Sequence, residues 1–343
     1  MSLSAASAAA PAASLALTLA SSNYDRTRAL IDGRVQPAGI ALNYIQLPVE
    51  EIFERMQREG EFDVAEMSLS FLATAKDSAA DPWVAIPVFP SRMFRHGAIY
   101  VNAASGIRVP ADLIGKRVGL AQFHTTAVVW IRGILEDEYG VPARSVRYCV
   151  GGIEAPRNAS AAPSIPGFEI GLPPPGATLS EMLRDGTIDA LYAIKPPSCF
   201  GAGAGPIRRL FSSVCEVEQA YFQRTQIYPI MHALVVQRPM AARYPWIVRS
   251  LYDAFVAAKA LAYEELHDSG IPATMLPWGV QAAEAASTLM GTDFWPYGID
   301  ANRTVLDTFL RYHHAQNLTS RQLTCDELFA PFPVQTQQGE IIQ

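Results

Sequence analysis

One ten-residue pattern occurs twice in this chain. Met56, Arg58, Glu59, Gly60 and Asp63 stand in the same register as Met182, Arg184, Asp185, Gly186 and Asp189. Each copy reads as the end of a helix, a glycine stop and the entry to a buried strand. A chain that makes this junction twice, far apart, is expected to build two lobes on one α/β plan.

The length of 343 residues agrees with two domains of ordinary size, and an apolar fraction of 50% is enough for two cores. Lys and Arg number 27 against 33 Asp and Glu, a net charge of −6 that argues against general binding to nucleic acid or an anionic membrane. Any anion must then be held by local arginines. Cys149, Cys199, Cys215 and Cys325 are scattered, without C-x-x-C or metal-ligand spacing, and read as free thiols in a reducing compartment. No spacing predicts a metal site. No apolar run reaches the ~18 residues of a membrane span. Residues 1–14 are rich in Ala and Ser but lack a basic residue, so they read as a disordered tail on a cytoplasmic protein and not as a secretory signal. Residues 334–343 read as a second tail.

Taken in order, residues 15–20 alternate as a strand and open through a polar loop into a helix, the position at which open α/β sheets place ligands. Tyr24, Asp25 and Arg26 are therefore candidates, although for Asp25 taken alone helix capping is the default role. A strand at 39–45 leads to a helix from Pro48 to Gly60, with Glu50 and Glu51 placed to suit its dipole. Residues 62–65 form a buried strand, and 66–70 are its exit loop, which offers Glu66 and Ser68. In residues 86–102, Pro87, Pro90 and Ser91 break an apolar run and Arg92, Arg95 and His96 follow. This stretch reads as a crossover whose cationic groups face the cleft between lobes.

The second lobe repeats the arrangement. A strand at 117–120 exits through Phe123 and His124 into a helix that starts at Thr125 and Thr126, where free N–H groups offer an anion site. After a strand at 144–150, residues 151–176 form a Pro- and Gly-rich excursion of the length of a lid or binding loop. A strand at 189–194 exits at Lys195, and residues 227–236 return to the first lobe. A long helix follows Pro245, then an aromatic turn at 294–298 and a last helix at 302–314 whose His313 and His314 read as solvated.

These segments resemble the 4,5-dihydroxyphthalate decarboxylase family. The resemblance is carried by Tyr24 to Thr27, residues 61–70, residues 86–96, Thr126 and Ala127, Trp130 to Gly133, and residues 294–298, and it runs from about residue 15 to 332. It implies a type II periplasmic-binding-protein-like fold. This α/β fold has two lobes, each a mixed sheet flanked by helices, joined by two crossovers. Lobe one is then expected at 15–101 and 226–333, and lobe two at 102–225. The implied activity is cofactor-independent loss of one carboxylate from a hydroxylated aromatic dicarboxylate, giving 3,4-dihydroxybenzoate and carbon dioxide. His96 is the expected proton donor, with Glu66 and His124 as further catalytic candidates. Arg26, Arg92 and Arg95 are expected clamps, and Tyr24, Asp25, Ser68, Thr125, Thr126 and Lys195 further substrate contacts. The chain departs from the family pattern at Phe123, His124 and Lys195, where Tyr, Gln and Arg are usual. A small aromatic acid is the expected partner, with no nucleic acid or membrane, and a homo-oligomer is compatible with this. A solute-binding protein for an aromatic acid, or another lyase on the same fold, are the alternative readings.

Overall fold

The computed structural model describes residues 14–157, 161–201 and 205–329. The expected tails at 1–14 and 334–343 lie, except for Ser14, outside them. Two mixed sheets form the frame. The first holds β1 (Leu15–Ser21), β2 (Ile40–Gln46), β3 (Val64–Ser68), β4 (Trp83–Arg92) and β11 (Ile230–Gln237), in the order β2-β1-β3-β11-β4. The second holds β5 (Ile99–Asn102), β6 (Arg117–Leu120), β7 (Arg147–Val150), β8 (Glu169–Gly171), β9 (Ala190–Tyr192) and β10 (Ile207–Arg209), in the order β10-β5-β9-β6-β7-β8. Apart from β8, the sheets match strand for strand. β1 runs parallel to β2 and β3 as β6 does to β7 and β9, while β11 lies antiparallel to β3 and β4 as β5 does to β9 and β10.

The repeated sequence junction performs the same work in each lobe. Gly60 ends its helix at φ 58° and Gly186 follows its own at φ 77°, a left-handed backbone that a side chain would strain. Asp63 Oδ2 then accepts a bond from the Thr18 N–H at 2.8 Å, and Asp189 Oδ2 accepts one from the Arg117 N–H at 2.9 Å. Their carbonyls accept from the N–H groups of Gln237 and Asn102, at 3.0 and 3.1 Å. Each aspartate thus pins the register of its central strand to both neighbours.

Three expectations change. β4 continues through Pro87 and Pro90 instead of breaking, because it is the edge strand of its sheet and its outward N–H positions need no partner. Glu66 belongs to β3 and is not in an exit loop. β5 pairs within the second sheet, so the chain crosses before Ile99 and not after Val101.

The helix Thr126–Tyr139 of the second lobe is wedged against the first. Trp130 Nε1 donates to the Ile230 carbonyl at 2.9 Å, and Trp130 and Ile134 pack into the core of the first lobe. Gly133 permits this closeness, since a Cβ there would stand 2.1 Å from the Tyr312 ring. That ring is itself buried and tied to Asp137 at 2.6 Å. Gly133→Ala is expected to cost about 3 kcal/mol, the upper end of ordinary overpacking, read as a fall in the thermal midpoint. An unchanged midpoint would show that Tyr312 moves aside freely.

Candidate functional site

A cavity of about 480 Å³ opens between the lobes, in the size range of small-molecule sites. The first lobe contributes Glu50 and Phe53 from the helix Val49–Glu59, Ser68, Phe71, Met231 and His232; the second contributes Gln122, Thr125, Thr126 and Ile194; Arg95 comes from the crossing between them. The excursion after β7 supplies a rim through Gly151, Gly152 and Arg157. A regular strand would send Met231 and His232 to opposite faces. β11 shifts register against β4 on both sides of His232, and this irregularity allows both side chains to line the cleft.

Behind His232 lies Glu66, fully buried on β3. Its carboxylate accepts from Ser21 Oγ at 2.6 Å, the Ser22 N–H at 3.2 Å, Tyr24 Oη at 2.7 Å and His232 Nδ1 at 2.6 Å. Burial alone would raise its pKa, but the bond and charge of His232, with the two hydroxyls, outweigh that and hold it below the usual carboxylate value. Tyr24 moves the other way, since burial and then the Glu66 charge raise its pKa and keep it a neutral donor. With Nδ1 committed to Glu66, the second nitrogen of His232 is left for the cleft. Phe53 stands edge-on to the ring, at 5.0 Å between centroids.

Because the pKa of Glu66 is depressed in the folded state, its contribution to stability is present above the ordinary glutamate value of about 4.3 and is lost as pH falls through the lower folded value. Glu66→Gln is therefore expected to flatten the acid limb of the stability curve measured by urea unfolding. Parallel curves for the two proteins would contradict this.

Two features receive negative charge. Arg95 is 8% exposed and lines the cleft, and its Nε donates to Met231 Sδ at 3.2 Å. Among the described residues no carboxylate forms a salt bridge with it, and Glu218 acts on its charge only from a longer distance; burial lowers its pKa to about 10, still a cation at neutral pH. The second is the start of the helix Thr126–Tyr139, where the Thr126 and Ala127 N–H groups precede the first intrahelical bond. Thr126 Oγ1 accepts from the Ser70 N–H at 3.0 Å and lies 2.9 Å from Ser68 Oγ. It thereby caps the helix Leu69–Asp77 from the opposite lobe, so two helix starts meet at the cleft floor. Among the described residues no group of three or more metal-ligating side chains is clustered, and no helix is long and apolar enough to cross a membrane.

No family model matches the chain. A protein of Comamonas testosteroni named 4,5-dihydroxyphthalate decarboxylase is 40% identical over 319 residues, covering 92% of this chain and 97% of that one. The chain belongs to the 4,5-dihydroxyphthalate decarboxylase family. A Pseudomonas putida protein of the same name is 39% identical over 199 residues, 57% of this chain and 77% of that one. Among solved structures, the periplasmic aliphatic sulphonate binding protein SsuA of Escherichia coli superposes with a TM-score of 0.52 at 14% identity, covering 96% of each chain. A periplasmic sulfonate-binding protein SsuA of Methylobacillus flagellatus KT gives 0.50 at 14% identity, over 93% of this chain and 92% of that one. The fold is thus the two-lobed periplasmic-binding-protein type.

Within this family, the expected site residues separate. Arg95, Ser68, Thr125 and Thr126 line the cleft, and Glu66 and Tyr24 stand directly behind His232. His96 does not reach it. Its ring is 1% exposed, enclosed by Tyr139, Phe211 and Tyr221, and both nitrogens lack a hydrogen-bond partner. Burial, then Arg224, lowers its pKa to about 4, so it carries no proton to give near neutrality. Arg92 faces away as well, donating to the carbonyls of Tyr228 and Pro296 and to Asn302. Arg26 is stacked between Tyr24 and Trp295, bonded to the Pro90 carbonyl at 2.7 Å and paired with Asp25 at 2.9 Å, beside a separate pocket of about 100 Å³. The family segments around residues 26, 92 and 295 therefore hold one another together.

His124 packs on Phe71 at 5.0 Å, and burial, then Arg132 and Arg157, lower its pKa. Lys195 is exposed, and its neighbour Ile194 lines the cleft instead. Phe123 is buried with the Arg132 guanidinium 3.7 Å from its ring centre. None of the three lines the cavity: His124 and Lys195 border its wall through Phe71 and Ile194, and Phe123 belongs to the second-lobe core. His313 is buried, not solvated, and bonds Ser70 Oγ at 2.9 Å. His232 was not among the expected residues. Its signal in the sequence is a single ionisable side chain inside the otherwise apolar residues 230–236.

Proposed function

We propose that this protein removes one carboxylate from 4,5-dihydroxyphthalate, or a close hydroxylated aromatic dicarboxylate, releasing carbon dioxide and 3,4-dihydroxybenzoate. The observation that carries this reading is the Glu66–His232 pair, a buried carboxylate orienting a histidine that opens into a cleft beside an arginine free of any salt bridge among the described residues. Family membership supports the reaction class.

The retained carboxylate is taken by Arg95 and the adjacent helix start, through charge-assisted bonds. The carboxylate to be lost lies against the apolar wall of Phe53, Phe71 and Ile194. A cation there would stabilise the ground-state charge that must disperse as carbon dioxide forms, and would slow the reaction. The hydroxyl para to this carboxylate pushes electron density onto the ring carbon that bears it. His232, as imidazolium held by Glu66, gives that carbon its proton. The carbon–carboxylate bond then breaks, its electron pair returns to the ring, and His232 is reprotonated from solvent. Atoms and charge balance without an electron acceptor.

The test is incubation of the purified protein with a panel of hydroxylated benzoic and phthalic acids, with carbon dioxide and aromatic product measured together. Release from dihydroxyphthalate is expected. Tight binding of an aromatic acid with no release from any would contradict the reading and point to solute capture.

A further inference from the structure

The acidic side chains along the helix Val49–Glu59 are paired with arginines, with one exception. Glu51 meets Arg55 at 2.8 Å, Glu54 meets Arg58 at 3.1 Å and Glu59 meets Arg58 at 3.0 Å. Glu50 is exposed at the mouth of the cleft, the acid of this helix that lines it, and it has no ion pair or hydrogen bond among the described residues. It precedes Phe53 by one turn on the same helix face, and Phe53 is the ring set edge-on to His232.

Among the described residues, the ionisable side chains lining this cavity are Glu50, Arg95, Arg157 and His232. The two cations and the histidine suit a dicarboxylate that is to be protonated. An unpaired carboxylate does not, because beside a bound dianion it is repulsive. The repulsion turns to attraction only for a ligand that presents hydroxyl hydrogens on that side, since a hydroxyl donates a charge-assisted bond to a carboxylate.

We propose that Glu50 is the specificity-determining residue for ring hydroxyls. It accepts hydrogen bonds from the diol edge while Arg95 takes the retained carboxylate, and it disfavours aromatic dicarboxylates that lack hydroxyls. This rests on the proposed decarboxylase reading for the identity of the dianion. A bond from the para hydroxyl to Glu50 also leaves more electron density on that oxygen, which aids the push onto the ring.

A helix-dipole role alone predicts that Glu50→Gln changes stability slightly and ligand preference not at all. The experiment is titration calorimetry of the wild type and Glu50→Gln with two ligands. The first is 3,4-dihydroxybenzoate, which keeps the diol and one carboxylate. The second is phthalate, which keeps both carboxylates and no hydroxyl. The variant is expected to bind 3,4-dihydroxybenzoate about tenfold more weakly and phthalate about threefold more tightly. Shifts in the same direction, or no shift, would overturn the proposal. Carbon dioxide release by the wild type is measured separately. Release with affinities that move together removes the role of Glu50 alone, whereas crossing affinities without release remove the decarboxylase reading and leave hydroxyl selection standing.

Discussion

His232→Asn is expected to bind the dihydroxy dicarboxylate nearly as well as the wild type and to turn it over ~10²–10⁴-fold more slowly, the range for loss of a general acid. The substitution keeps a side chain able to bond Glu66, so the buried carboxylate retains a partner and the fold is not put at risk. Asn cannot carry an ionisable proton into the cleft. In heavy water the wild-type product should hold one deuterium at the carbon that lost the carboxylate. Full turnover by His232→Asn would remove His232 from the acid role and move that role to His124, beside Phe71 at the cleft wall, since His96 and His313 are enclosed in cores with pKa values lowered by burial to about 4 and about 3.

The second large effect separates two arginines that the sequence places three positions apart. Arg95→Lys is expected to raise KM about tenfold to a hundredfold with little change in thermal midpoint, because a point charge cannot reproduce two parallel bonds to a carboxylate. Arg92→Lys is expected to do the reverse. Arg92 serves three oxygen acceptors within the protein, and a lysine there leaves buried acceptors of Pro296 and Asn302 short of donors. Its midpoint should fall while KM stays near the wild-type value. The same KM increase in both variants would mean that Arg92 also reaches the ligand.

These outcomes mark where the sequence could be read and where it could not. The two-lobed plan follows from local signals. Gly60 and Gly186 stop helices, Pro48 and Pro245 begin them, and Asp63 and Asp189 recur at the same junction, all within a few residues of the structure they specify. Ser68, Thr125 and Thr126 line the cleft for the same local reason, standing at a strand end and a helix start. Orientation across the crossing was not local. Arg95 and His96 are neighbours in sequence, yet one faces the cleft and the other an aromatic pocket of the second lobe. His232 reaches Glu66 only because β11 returns from the far lobe to pair with β3, and the register shifts beside it set its aim. The prolines of β4 misled because their effect depends on whether a strand lies at a sheet edge, which only the assembled sheet decides.

The most direct measurement is a crystal structure of His232→Asn with 4,5-dihydroxyphthalate bound. One carboxylate should sit on Arg95 and the start of the helix Thr126–Tyr139, with the ring carbon of the other carboxylate facing the side chain at position 232 at about 3–4 Å, the spacing of a near-attack arrangement. A ligand bound outside this cleft, or one whose carboxylates both lie on cations with the ring turned away from position 232, would contradict the account.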